Sequence, residues 1–163
     1  MNKLGLIVGG LIVVILGWML WEKQATAAHY HAGFVVYQDG VKQDYSGYQY
    51  MNYTPCSEHD VKKSAAEEQM EKAHLHDGVG DVVHVHREGA VWGDLFKNIG
   101  VGLESNVGGY LDGEWKQNIL NQPILPYQTM VLVIGENKPE YQQERISREH
   151  IIQVEAASEL CGS

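Results

Sequence analysis

The segment HLHDGVGDVVHVH, residues 74–86, restricts the fold of this chain more than any other stretch. Two His-x-His pairs, His74/His76 and His84/His86, flank a centre of turn formers, Asp77-Gly78-Val79-Gly80-Asp81. A β-strand sends alternate side chains to one face, so each pair projects both imidazoles the same way. The loop length then decides how the pairs face each other. An odd loop over residues 79–81 sets His76 opposite His84 and His74 opposite His86. All four imidazoles then share one face, and Leu75, Val83 and Val85 share the other, as a core requires. An even loop splits the histidines and puts Leu75 on the face opposite Val83 and Val85. Because a one-residue slip turns a strand's apolar set out of the core, the odd loop is expected. A third pair, His29/His31, lies upstream in the strand-like run HYHAGFVVY.

Three such pairs suggest a metal site. Neutral imidazole binds zinc, copper, nickel and iron. Four same-face histidines complete a closed tetrahedral site, and three leave a position open for catalysis. No cysteine or methionine lies within the His-x-His segments, which favours Zn(II) or Cu(II) over a dedicated Cu(I) site. The competing reading is six histidines that are merely exposed or structurally hydrogen-bonded. Like charges facing one another across strands would repel on protonation unless something binds them, which favours a metal. The candidate ligands are therefore His29, His31, His74, His76, His84 and His86. Asp77 and Asp81 either support ring nitrogens or, more simply, shape the turn. His59 and His150 are isolated and are assigned ordinary surface or structural roles. Neither an HExxH motif nor a nucleophile elbow is present, so metal binding ranks ahead of catalysis.

Composition narrows the partners. The 163-residue chain carries a net charge of −9 at pH 7, so it repels phosphate backbones and nucleic acid is not an expected partner. Residues 4–21, LGLIVGGLIVVILGWMLW, contain no charge. That length suits a single transmembrane helix and is long for a signal-peptide core. Trp18 and Trp21 fall where an interfacial aromatic belt would be, and Lys3 orients the N-terminus inward. Gly5 and Gly9 form a GxxxG, read here as ordinary membrane-helix glycine rather than a dimer motif. The expected organisation is a membrane anchor over residues 1–28, an extracytoplasmic domain over 29–157 and a flexible tail over 158–163. The alternative is a secreted form cleaved near Ala27, since Ala25-Thr26-Ala27 has the small-x-small form of a cleavage site. Outside the cytoplasm Cys56 and Cys161 can form a disulfide, the rival being two unrelated thiols.

Other elements follow from pattern. Asp39-Gly40 predicts a hairpin between FVVYQ and VKQDYS. In the tyrosine-rich stretch that follows, Tyr48 and Tyr50 can share a strand face, with half-buried packing expected more than a stacking platform. A helix is expected from Ser57 to about Lys72, with Ser57 and Asp60 at capping-box spacing. Trp92, Leu95, Phe96, Ile99 and Leu103 recur at near-helical spacing and predict a short buried helix over about 93–99, capped by Gly100. Asp112-Gly113 marks a turn beside a strand over 110–116. The run TMVLVI predicts a strand over 129–134, HIIQV a last strand over 150–154, and the chain from Glu155 a loose tail.

The succession of an apolar N-terminal run, HYHAGFVVYQDG, HLHDGVGDVVHVH, VWGDLFKNIG and a closing strand resembles a family of small, uncharacterised, exported bacterial proteins with repeated His-x-His pairs. The resemblance spans most of residues 29–154 and brings no activity with it. The element order also resembles a β-grasp (ubiquitin-like) domain, which implies an α+β fold with one or two helices packed on a mixed sheet. The spacing of Gly78, His84 and His86 matches the opening of a cupin motif. Glu88 falls too early for its glutamate and no second motif is visible, so a cupin is set aside. Three function classes follow: a tethered domain binding a divalent transition metal, an enzyme using that metal through an open position, and an anchored adaptor for an unspecified protein partner.

Overall fold

β1, a 12-residue strand over Ala27–Gln38, organises the molecule, because both of its edges are paired. The computed structural model describes residues 27–53 and 63–157. Strands β2 (Val41–Lys42), β3 (Val82–Arg87), β4 (Gly108–Leu111), β5 (Glu114–Lys116) and β6 (Thr129–Ile134) complete a six-stranded mixed sheet. Helices α1 (Ala65–Lys72), α2 (Trp92–Asn98) and α3 (Arg148–Ala157) complete the expected α+β class.

Backbone parity assigns the edges of β1. Phe34 N donates to Asp81 O, and Val36 O accepts from Gln43 N, so β3 and β2 follow one another along one edge. Gly33 N donates to Gln128 O and His31 O accepts from Tyr127 N on the other edge, where β6 runs parallel. The main path is β2-β1-β6-β4-β5, with β3 antiparallel beside the N-terminal half of β1. The β1–β2 turn is Asp39-Gly40, with φ of 50° and 84°, the left-handed pair that a tight two-residue hairpin demands.

The same parity sorts the side chains. Ala32, Phe34 and Val36 of β1 join Val83 and Val85 of β3, Leu75, Met130, Leu132 and the α2 residues Trp92, Leu95 and Phe96 in the main core. The odd-numbered residues of β1 face the other way. Val35 and Tyr37 build a smaller core there with Val131, Val133 and Tyr141. His29 and His31 continue that second face towards the start of the strand. α3 crosses it at Gly33, where a Cβ would sit 2.7 Å from Ile146 Cβ and 3.2 Å from Ile151 Cδ1. A side chain at this position would lift α3 from the sheet.

Several expectations are corrected. Residues 150–154 are not a strand but the body of α3, with Ile151 fully buried and Ile152 44% exposed. Ser147 Oγ accepts from His150 N at 3.2 Å and so caps the helix start, a local signal that outweighs the β-branched run. Glu155 is accordingly helical rather than part of a loose tail. α1 begins at Ala65, whereas the expected start at Ser57 and Asp60 lies outside the described residues. Ser64 is extended and forms a capping box with Glu67, the full Ser-x-x-Glu pattern of a helix start. Tyr48–Tyr50 is a 3₁₀ turn rather than a strand face, with Tyr48 exposed. The 4–21 run, Ala25 and Thr26 of the small-x-small site, Cys56, Cys161, His59 and the 158–163 tail lie outside the described residues. Among the described residues no helix is long and apolar enough to cross a membrane.

Candidate metal centre

The histidine hairpin forms with an odd loop, but in a register two residues away from the expected one. His74 N donates to His84 O at 3.0 Å and His84 N to His74 O at 2.9 Å. His74, not His76, therefore stands opposite His84, and the loop is 77–81 rather than 79–81. The cause is local. Asp77 and Gly78 adopt φ of 59° and 73° directly after His76, so the strand ends there. A Cβ on Gly80 would lie 2.3 Å from Ser46 N, so the loop seats on the backbone of the tyrosine stretch. Residues 74–75 are pinned on their other edge too, since Asn52 N donates to Leu75 O at 2.7 Å. A two-residue shift preserves parity, and Leu75, Val83 and Val85 still enter the core.

β1 supplies the third strand. His31 is the register partner of His84, which brings the upstream pair against the hairpin. The six imidazoles close into a ring. Centroids of His29 and His31 are 5.2 Å apart, His31 and His84 3.9 Å, His84 and His76 3.5 Å. The circuit continues from His76 to His74 at 5.7 Å, to His86 at 5.3 Å, and back to His29 at 4.7 Å. His31, His74, His76 and His84 are buried, His86 is partly buried and His29 is exposed. His150 stands apart and bonds Asp81 at 3.1 Å.

His29, His31 and His84 form a group that can hold a metal ion, their donor atoms all lying within 4.8 Å of one another. The tightest convergence is at His84 Nδ1, which lies 2.7 Å from His31 Nε2 and 2.7 Å from His76 Nε2. A ring nitrogen offers a single lone pair or a single N–H. Two ring nitrogens therefore compete for one hydrogen-bonding position. Three nitrogens on a tetrahedral ion, with bonds of about 2.0–2.1 Å, stand roughly 3.3–3.4 Å apart.

Burial keeps four of the rings, His31, His74, His84 and His86, neutral at pH 7, with lone pairs available. Burial lowers the His31 pKa to about 4, although the Glu155 carboxylate pulls it upward. Burial likewise lowers His74 to about 4, against its bond to the Met70 carbonyl. Burial, then the charges of His74 and His29, lower His86 to about 3. His84 is pushed furthest down, by burial first and then by His31 and His76.

Outer contacts orient the rings. His74 Nδ1 donates to Met70 O at 3.0 Å, which leaves its Nε2 as the lone-pair nitrogen. Asp77 Oδ2 lies 2.5 Å from His76 Nδ1, so this turn residue also supports a ring. Asp81 instead bonds His150. Glu155 is a residue that sequence reasoning missed. Its Oε1 lies 3.5 Å from His31 Nδ1, a buried nitrogen with no hydrogen-bond partner among the described residues. Its Oε2 accepts from Tyr127 OH at 2.8 Å. Reading Ser147-x-x-His150 as a helix start would have found it, one turn beyond Ile151.

No family model matches the chain, and no curated protein or solved structure is detectably similar to it.

Proposed function

We propose that this domain binds a divalent transition metal, Zn(II) or Cu(II), through its histidine face, and that residues 4–21 tether it outside the cytoplasm. The observation that carries the metal reading is the convergence of His31 Nε2 and His76 Nε2 on His84 Nδ1, with burial lowering the pKa of His31 and His84. Nitrogen donors without sulfur suit both metals. The tether rests on the uncharged 18-residue run, and the resemblance to exported His-x-His proteins accords with it. The sheet path supports a β-grasp reading: with β3 set aside, the parallel strands β1 and β6 lie centrally, each has an antiparallel neighbour, and α2 packs on one face. β3 and α1 would then be an elaboration that carries the histidines.

Calorimetric titration of the full, untagged chain in detergent with Zn(II) and with Cu(II), at pH 7.5, tests the binding. Wild type should bind and His31→Ala/His84→Ala should not. Equal binding by both proteins, or none by wild type, refutes the reading. Protease added to spheroplasts should remove the domain, and protection of it would refute the orientation.

A further inference from the structure

Tyr127 occupies a backbone position that ordinarily goes to glycine. Gln128 N donates to Leu125 O at 3.1 Å and closes a turn over residues 125–128. Pro126 holds the second place of that turn at a negative φ, and Tyr127 takes the third at φ 57°. A left-handed third residue favours Gly or Asn and penalises a bulky ring. Strain of this kind persists where surrounding contacts hold it, and it collects at functional sites. Three contacts hold it here. Tyr127 N donates to His31 O at 2.7 Å. Arg148 Cζ lies 4.3 Å from the ring centroid. The phenol donates to Glu155 Oε2 at 2.8 Å, while Oε1 of the same carboxylate stands 3.5 Å from His31 Nδ1. These contacts make a circuit that leaves the His31 carbonyl, runs through Tyr127 and Glu155, and returns to the His31 ring.

We propose that Tyr127 is a positioning residue for the metal centre: its hydroxyl aims the Glu155 carboxylate at His31 Nδ1, and so fixes Nε2 as the nitrogen that His31 offers to the ion. The inference rests on the metal-binding reading above. His31 belongs to the group of His29, His31 and His84, and its Nε2 lies 2.7 Å from His84 Nδ1. Its Nδ1 is buried, with no hydrogen-bond partner among the described residues. A neutral imidazole carries one proton, on either nitrogen, and an ionised carboxylate only accepts. Glu155 therefore selects the form protonated at Nδ1 and leaves the lone pair on Nε2. The Glu155 side chain is 34% exposed, so a carboxylate without a second anchor would turn to water. Tyr127 supplies that anchor from the loop that leads into β6, the parallel neighbour of β1.

Tyr127→Phe keeps the ring beneath Arg148 and the backbone bond to His31, and removes only the hydroxyl. Zn(II) is the probe, titrated into the full, untagged chain in detergent for wild type, Tyr127→Phe, Glu155→Gln and the double variant. Tyr127→Phe should lower Zn(II) affinity about 10-fold, the lower end of the loss on removing an outer partner of a metal-bound histidine. The double variant should bind no more weakly than Glu155→Gln alone, because the hydroxyl acts through the carboxylate. Nuclear magnetic resonance of zinc-loaded protein labelled at histidine nitrogen supplies a second readout. The His31 Nδ1–H proton signal, assigned by its loss in His31→Ala, should move upfield in Tyr127→Phe. A hydroxyl with a purely structural role would change stability and leave that signal in place. Equal affinity of Tyr127→Phe and wild type, additive losses in the double variant, or an unmoved Nδ1–H signal overturns the proposal and leaves the metal reading standing. A wild type that binds no zinc overturns both.

Discussion

Lowering the pH should unfold the metal-free domain, with a magnitude set by the buried imidazoles. His31 and His74 each drop from 6.5 to about 4 on folding. Between those values the unfolded chain binds protons that the folded chain refuses, so stability falls as pH falls. The loss begins near 6.5, the unfolded value, and levels off below about 4, the folded value. From pH 7 to pH 5 each of the two histidines removes about 2 kcal/mol, and the pair about 4 kcal/mol. His84 and His86, which are also lowered, act in the same direction. Such a loss is a large fraction of the roughly 5–15 kcal/mol stability of an ordinary domain. Carboxylates that folding stabilises, Glu71 and Glu67 among them, are lowered from 4.5 and titrate below this window. Urea unfolding in the presence of a chelator, at half-unit steps between pH 7.5 and 5, measures the slope directly. Stability that stays level or rises as pH falls through 6 would refute the claim that these rings are buried and neutral.

Two substitutions probe how α3 serves the cluster. Gly33→Ala should cost about 1–3 kcal/mol in urea unfolding, since the new methyl meets Ile146 and Ile151. It should also weaken metal binding by moving Glu155 away from His31, and unchanged affinity would separate the helix from the site. Glu155→Gln removes the negative charge beside His31 Nδ1. Zn(II) affinity should fall about 10–100-fold, while the stability of the metal-free chain changes by no more than about 0.5 kcal/mol. An unaltered titration isotherm would show that the carboxylate plays no part in orienting the ring.

The histidine face was legible because it depends on parity alone. His74 pairs with His84 rather than His86, yet an even displacement leaves every imidazole on the same side. Val83, Val85 and Leu75 in the core report the same rule. The neighbouring position of β1 was not legible from spacing, since only long-range pairing sets His31 against His84. α3 was misread because five residues of HIIQV fit a strand period as well as a helix, and the decisive Ser147 cap lies outside the apolar run. That error concealed Glu155, which reaches His31 only from a helix laid across Gly33. The start of α1 has a local signal too. Ser64 and Glu67, whose reciprocal bonds form the cap, fall inside the expected helix and carry the Ser-x-x-Glu pattern that marks a start.

The claim that histidines on this sheet face hold a transition metal is tested most directly by X-ray absorption spectroscopy at the zinc edge, on the zinc-loaded full chain. The account predicts a first shell of nitrogen and oxygen donors at about 2.0–2.1 Å, dominated by imidazole with its outer-ring scattering. Sulfur at about 2.3 Å, which would place the ion on Cys56 or Cys161, would contradict it, as would an oxygen shell without imidazole.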